Sequence, residues 1–243
     1  MDASLLYKAG ELNPAIEALG TELRTQPSDT RRRTFLFELL CFAGAYDRAE
    51  KQLDILAEAN KDAFAGSMLY RAALHAQRTR EKFFHDGQLP TRDPKNGPIP
   101  GSLNGTTFTS LEDEDPRFGS QLEVFIAGSY TLVPFRYIQR IEMAPPKRLR
   151  DLLWARAMLT TTSDFRLQDL GEVLLPVLSP GSWASSNDLV RLGRVTVWQD
   201  ADGERDASPL GQKSLLVDGE AYPFLSMREL TFTHASSTAA EVE

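Results

Sequence analysis

The densest set of ligating side chains in the sequence is the run Glu112-Asp113-Glu114-Asp115. Neighbouring carboxylates can share a hard cation, but calcium loops alternate their ligands and turn on a glycine, as in D-x-[DN]-x-[DN]-G. That pattern fails here, so the run reads as a solvated acidic loop, with a cation or a basic partner as the sharper reading. Grouped with His85 in a pocket between two halves of the chain, Glu112, Asp113 and Asp115 would instead make a metal-dependent enzyme. The rest of the inventory does not support that alternative. The histidines are His75, His85 and His234. His75 and His85 are too far apart for chelation across one helical turn, and all three read as solvated surface groups. Cys41 sits in the apolar run 35–42, where a buried inert thiol is expected rather than a nucleophile. The sequence contains no phosphate-binding G-x-x-x-x-G-K-[ST], no G-x-G-x-x-G and no G-x-S-x-G elbow. Ser182, in Pro180-Gly181-Ser182-Trp183, lacks the second glycine and reads as the cap of a turn or helix. No catalytic, cofactor-binding or metal-ligating residue is therefore assigned.

A surface for another protein is better supplied. Arg31, Thr34, Glu38 and Cys41 recur at helical spacing along one segment. On the segment that would line the surface of a helical stack, with Thr34 among its residues, Arg31 and Glu38 would give a polar rim and Phe35 and Phe42 the apolar contacts for a partner helix. The expected partner-binding residues are thus Arg31, Thr34, Phe35, Glu38 and Phe42. Tryptophan is enriched at binding hot spots, yet Trp154 and Trp198 read first as core filling.

The elements that must position these residues follow from a repeat. An offset of 34 residues lays Leu5 on Leu39, Leu6 on Leu40, Gly10 on Gly44, Leu12 on Tyr46, Ala15 on Ala49 and Leu19 on Leu53. Glycine suits the turn that ends a first helix, and small alanines let paired helices approach closely. That length and order are those of tetratricopeptide repeats, although the tryptophan and the Leu-Gly pair of the first-helix consensus are missing. A third helical segment, about 63–84, completes the stack. Eight glycines and prolines between Gly87 and Gly105 then break any regular element. Beyond them strand patterns dominate, including hairpins at Ala127-Gly128-Ser129 and Asp218-Gly219. The expected class is α+β: tetratricopeptide-like helical repeats over 1–86, a linker over 87–104, a β-rich, mainly antiparallel domain over 105–234, and a disordered tail over 235–243.

Composition narrows the function. The chain carries a net charge of −7, and most of the acidic excess falls in residues 91–243. Without a basic stripe, the electrostatic footprint of a nucleic-acid binder is missing. Residues 1–8 lack the basic start and apolar run of a secretory signal, no stretch approaches a membrane span, and a single cysteine fits a reducing compartment. A cytoplasmic protein is expected.

Several stretches resemble the ImpE/SciE (TagJ) family, accessory components of bacterial type VI secretion systems. They are Arg33-Thr34-Phe35-Leu36-Phe37-Glu38-Leu39-Leu40-Cys41 with Gly44, Tyr46, Arg48 and Ala49; Gly105 through Phe108, Asp113, Asp115, Arg117 and Gly119 to Leu122-Glu123-Val124; Gly128-Ser129-Tyr130-Thr131-Leu132-Val133-Pro134-Phe135; Leu149-Arg150-Asp151-Leu152-Leu153-Trp154; and Tyr222-Pro223-Phe224. In one respect the chain departs from the family pattern, with a short Pro/Gly segment where members carry further helical sequence. The resemblance implies a non-enzymatic adaptor. Its implied partner is the small subunit of the contractile sheath (TssB, or VipA), held through a helix of that subunit, with an effect on sheath assembly or on recycling by the ClpV ATPase.

Overall fold

Two helix pairs open the chain. α1 (Ala3–Ala9) and α2 (Leu12–Thr25) make the first, α3 (Thr30–Phe42) and α4 (Tyr46–Ala57) the second, and α5 (Lys61–His85) follows. Asp2 and Asp29 start α1 and α3 by accepting the backbone N–H of Ser4 and Arg32 at 2.7 and 3.0 Å, which satisfies donors the helix itself leaves free. Each pair turns on a glycine in the left-handed region, Gly10 at φ 88° and Gly44 at φ 68°. The sequence offset holds in space: Ala15 with Ala49, and Leu19 with Leu53, are buried at equivalent places. It fails at one pair. Leu39 is fully buried while Leu5 is 57% exposed, because α3 packs between α2 and α4 whereas α1 packs mainly on α2, with Tyr7 against Phe35 of α3.

The computed structural model of the protein describes residues 2–59, 61–87, 97–165, 170–201 and 207–234. Residues 88–96 of the expected linker and the expected tail, 235–243, lie outside them. After α5 come β1 (Gly101–Leu103), β2 (Thr106–Phe108), β3 (Leu111–Asp113), β4 (Gln121–Ile126), β5 (Ser129–Pro134), β6 (Ile138–Met143), β7 (Trp154–Thr161) and β8 (Gly171–Pro176). A four-residue helix α6 (Asp188–Arg191) then precedes β9 (Val197–Gln199), β10 (Ser208–Leu210), β11 (Ser214–Val217), β12 (Glu220–Pro223) and β13 (Glu229–Phe232).

One sheet of eight strands runs in the order β2-β1-β13-β6-β7-β8-β4-β5, and every pairing in it is antiparallel. β12-β11-β3 form a smaller sheet, and β9 pairs with β10 apart from both. The hairpin turns stand where the sequence puts them. Ala127-Gly128 and Asp218-Gly219 have φ of 48° and 84°, and 51° and 87°, the positive pair that matches a two-residue turn to the strand twist. The fold is thus α+β, with the helices first.

The pleat of β4 shows how the large sheet serves two cores, since successive side chains point to opposite faces. Leu122 and Val124 pack with Leu111 and Leu215 of the smaller sheet and with Phe224 just past it. Phe125 points the other way and joins Trp154, Leu174, Leu39, Phe42 and Leu74 in a core shared with the helices. Two details differ from expectation. β1 falls inside the segment expected as linker. Trp198, expected as core filling, is 48% exposed, because β9 has β10 as its strand partner and is not part of the large sheet. Trp154 does fill the core. No helix among the described residues is long and apolar enough to cross a membrane.

Candidate partner-binding cleft

Two sets of polar contacts fix the helices against the sheet. The first is buried. Arg80, on the inner face of α5, donates from Nε to Glu123 Oε1 at 2.6 Å and from Nη2 to Oε2 at 2.7 Å, and reaches the Leu178 carbonyl at 2.9 Å. Lys213 adds Nζ at 2.8 Å from Glu123 and 2.6 Å from Asp113, and the Tyr130 hydroxyl donates to Glu123 at 2.9 Å. Burial alone pushes the Glu123 carboxyl up, but Arg80 and Lys213 outweigh it and hold it at about 2. Asp113 is pushed up to about 6 by burial, which Lys213 only partly offsets and the Glu123 charge reinforces. The acidic run is therefore no solvated loop. Asp113 and Asp115 are 4% and 0% exposed, and Asp115 is paired with Arg117. Glu112 and His85 are exposed, so the grouping that a metal-dependent enzyme would need is not assembled. Among the described residues no cluster of His, Cys, Asp and Glu is placed to hold a metal.

The second set is a clasp made by residues 182–194. Asp188 accepts the Leu12 N–H at 2.8 Å at the start of α2, where Glu11 makes no side-chain cap of its own. Arg194 donates to the Lys8 and Tyr7 carbonyls at 2.9 and 2.6 Å at the end of α1, and Arg191 lies 3.4 Å from the Ala43 carbonyl just past α3. The carboxylate meets a helix N-terminus and the cations meet C-termini, the signs that helix dipoles favour. The two repeat glycines are part of this clasp: a Cβ on Gly10 would lie 2.4 Å from Leu189, and one on Gly44 would lie 2.5 Å from Trp183. Ser182 caps its own short turn, donating to the Ser179 carbonyl at 2.6 Å and accepting from Gly211 N–H at 2.8 Å.

Held in this way, the helical layer stops short of covering the sheet, and a cleft opens along Tyr70. A cavity of about 240 Å³ is lined by Phe37, Leu53, Leu56 and Tyr70, with Thr34 and Gly66 on its wall; Phe37 and Leu53 are nearly closed off, at 1% and 3% exposed, so Leu56 and Gly66 are the apolar surface it presents. A second, of about 260 Å³, continues past Pro145 and Pro146, and a third, of about 330 Å³, lies between Leu69 and Ala72 of α5 and Leu174 of β8. Arg156 lines all three. Nothing stands within 4 Å of where a Cβ on Gly66 would be, so the glycine leaves open space. Outside the cleft, Phe64 and Met68 are exposed one turn apart on α5. An apolar floor with polar walls is what a partner helix needs in order to lay down one face.

The five sequence-expected residues separate in space. Thr34 lines the cleft, and Arg31 is exposed one turn before it on α3. Phe35 faces the other pair, edge-on to Tyr7 with ring centroids 5.6 Å apart. Glu38 is buried and bonded to Arg150 at 3.1 Å; burial pushes its carboxyl up, and Arg150 works against that shift. Phe42 is 1% exposed, in the core beside Trp154, so the anchor expected from it is already filled by this chain. Cys41 is buried with its thiol pushed well up by desolvation, as an inert thiol should be. Sequence reasoning missed Tyr70, Arg148, Arg150 and Arg156. For Tyr70 the signal was present, since it shares a helical stripe with Ala73, Leu74 and Gln77; the arginines gave none, because their approach to α5 is purely tertiary.

The fold is shared with a known structure, and the sequence is similar to a known protein over most of its length. The crystal structure of a Vibrio parahaemolyticus protein superposes with a TM-score of 0.84 at 23% identity, covering 96% of this chain and 98% of that one. The type VI secretion system accessory component TagJ of Pseudomonas aeruginosa is 28% identical over 265 residues, spanning 96% of this chain and 91% of TagJ. The model of the ImpE protein family matches residues 105–231, from the end of β1–β2 turn to β13, more than half the chain, and by that match the protein belongs to the ImpE family.

Proposed function

We propose that the protein is a cytoplasmic adaptor of bacterial type VI secretion that binds the small subunit of the contractile sheath (TssB or VipA) through a helix of that subunit. It would thereby influence sheath assembly or ClpV-dependent recycling, without chemistry of its own. The observation that carries this reading is the end-to-end similarity to TagJ. The cleft along Tyr70 supports it, because it offers a helix an apolar floor next to the one expected contact residue, Thr34, that reaches it.

Gly66→Leu tests the reading. The substitution puts a side chain into open space on α5 and raises helix propensity by about 1 kcal/mol, so the protein stays folded while the cleft fills. By calorimetry with purified sheath small subunit, the unmodified chain binds, and Gly66→Leu weakens binding at least tenfold without lowering the melting temperature. No binding by the unmodified chain would end the sheath reading.

A further inference from the structure

The chain is acidic overall, at −7, yet the wall of the cleft facing α5 is basic. Lys147, Arg148, Arg150 and Arg156 line its first two cavities against Asp62 and Asp151. Most of the acidic groups near them are already engaged. Asp151 spends its carboxylate on the backbone N–H groups of Lys147 and Arg148, at 2.8 and 2.9 Å. Glu38 holds Arg150, whose guanidinium also lies 4.8 Å over the Tyr70 ring. Arg156 hydrogen-bonds with the neutral Tyr70 side chain, and its one ion pair among the described residues is with Glu172, at 3.5 Å, with both side chains about half exposed, a pair of little strength in water. Arg148 is exposed and has no ion pair among the described residues. Two guanidiniums therefore border one apolar floor with weak counter-ions or none. A guanidinium takes a carboxylate through two parallel N–H donors, and such a pair strengthens when a partner excludes water from it.

We propose that the cleft selects its partner by charge: it takes a helix that carries a carboxylate beside the apolar side chains it sets against Leu56 and Gly66, with Arg148 and Arg156 receiving that carboxylate. The inference rests on the cleft being the partner site, as above, but not on the partner's identity. A basic helix of the same apolar face is excluded by the same two side chains, which makes them the specificity-determining pair.

The test uses the full chain and three synthetic helical peptides with one apolar face, bearing Glu, Gln or Lys at the adjoining polar positions. By fluorescence anisotropy the Glu peptide binds tightest and the Lys peptide at least tenfold more weakly, and added salt narrows the gap. Arg148→Glu with Arg156→Glu reverses the order, while Gly66→Leu weakens all three. Equal binding of the Glu and Lys peptides, or binding of none, overturns the proposal. The sheath small subunit is measured in parallel. If it binds the unmodified chain and the double charge reversal equally well, charge selection is wrong and the adaptor reading stands. If it does not bind while the Glu peptide does, the cleft is right and the sheath partner is wrong.

Discussion

Glu123 sits between Leu122 and Val124 on a strand whose neighbours are all buried, and it faces Arg80 from α5 and Lys213 from the approach to β11. Breaking such a group leaves an uncompensated charge in the interior. Arg80→Met should lower stability by about 3–5 kcal/mol, measured by chemical denaturation, and Glu123→Met added to it should recover much of the loss. The two buried carboxylates give opposite pH dependence. Glu123 is held at about 2, so its contribution is present above the unfolded carboxylate value and is lost as pH falls toward that figure. Asp113 is raised to about 6, so its contribution is complete below its unfolded value and is lost as pH rises through about 6. Between about pH 4 and pH 6, stability should therefore fall with rising pH through Asp113, and Asp113→Asn should flatten that part of the denaturation profile. None of this was legible in the sequence. Charged side chains such as Arg80, Glu123 and Lys213 are mostly exposed in proteins, and what pairs these three is 43 and 90 residues of separation closed by the fold. The acidic run was misread for the same reason.

Among the elements, legibility followed range. The helix pairs and the two hairpins were readable, because helical periodicity, a left-handed glycine and a two-residue turn are local signals. β1, β3 and β10 have three residues each, too short for alternation to show. The clasp was unreadable because the cap of α2 is supplied 176 residues away. Asp188→Ala should lower stability by about 1 kcal/mol and speed hydrogen exchange at the Leu12 and Asn13 amides. Unchanged exchange there would mean that water caps the helix equally well. The glycines, read as turn residues, proved also to be contact residues, since Leu189 and Trp183 occupy the space a side chain would need.

At the scale of the molecule, the sequence suggests two folding units divided near 87–104, whereas Phe125, Trp154 and Leu174 share one core with the helices. That sharing predicts a single calorimetric unfolding transition for the full chain; two resolved transitions would favour independent halves. The site was partly legible at this scale: the sequence pointed to α3, and Thr34 reaches the cleft, but the opposite wall comes from 144–156, which reads only as a strand preceded by prolines. The clasp also bears on the order in which the protein is made. The helices emerge first from the ribosome, with the ends of α1, α2 and α3 still lacking the partners that Asp188, Arg191 and Arg194 provide. The partner cleft stays half-built until Arg156 has been synthesised, and its helical wall is not fastened until Arg194 arrives. A nascent chain thus presents no finished cleft until Arg194 has been made, and the proposed capture of a partner would wait until then.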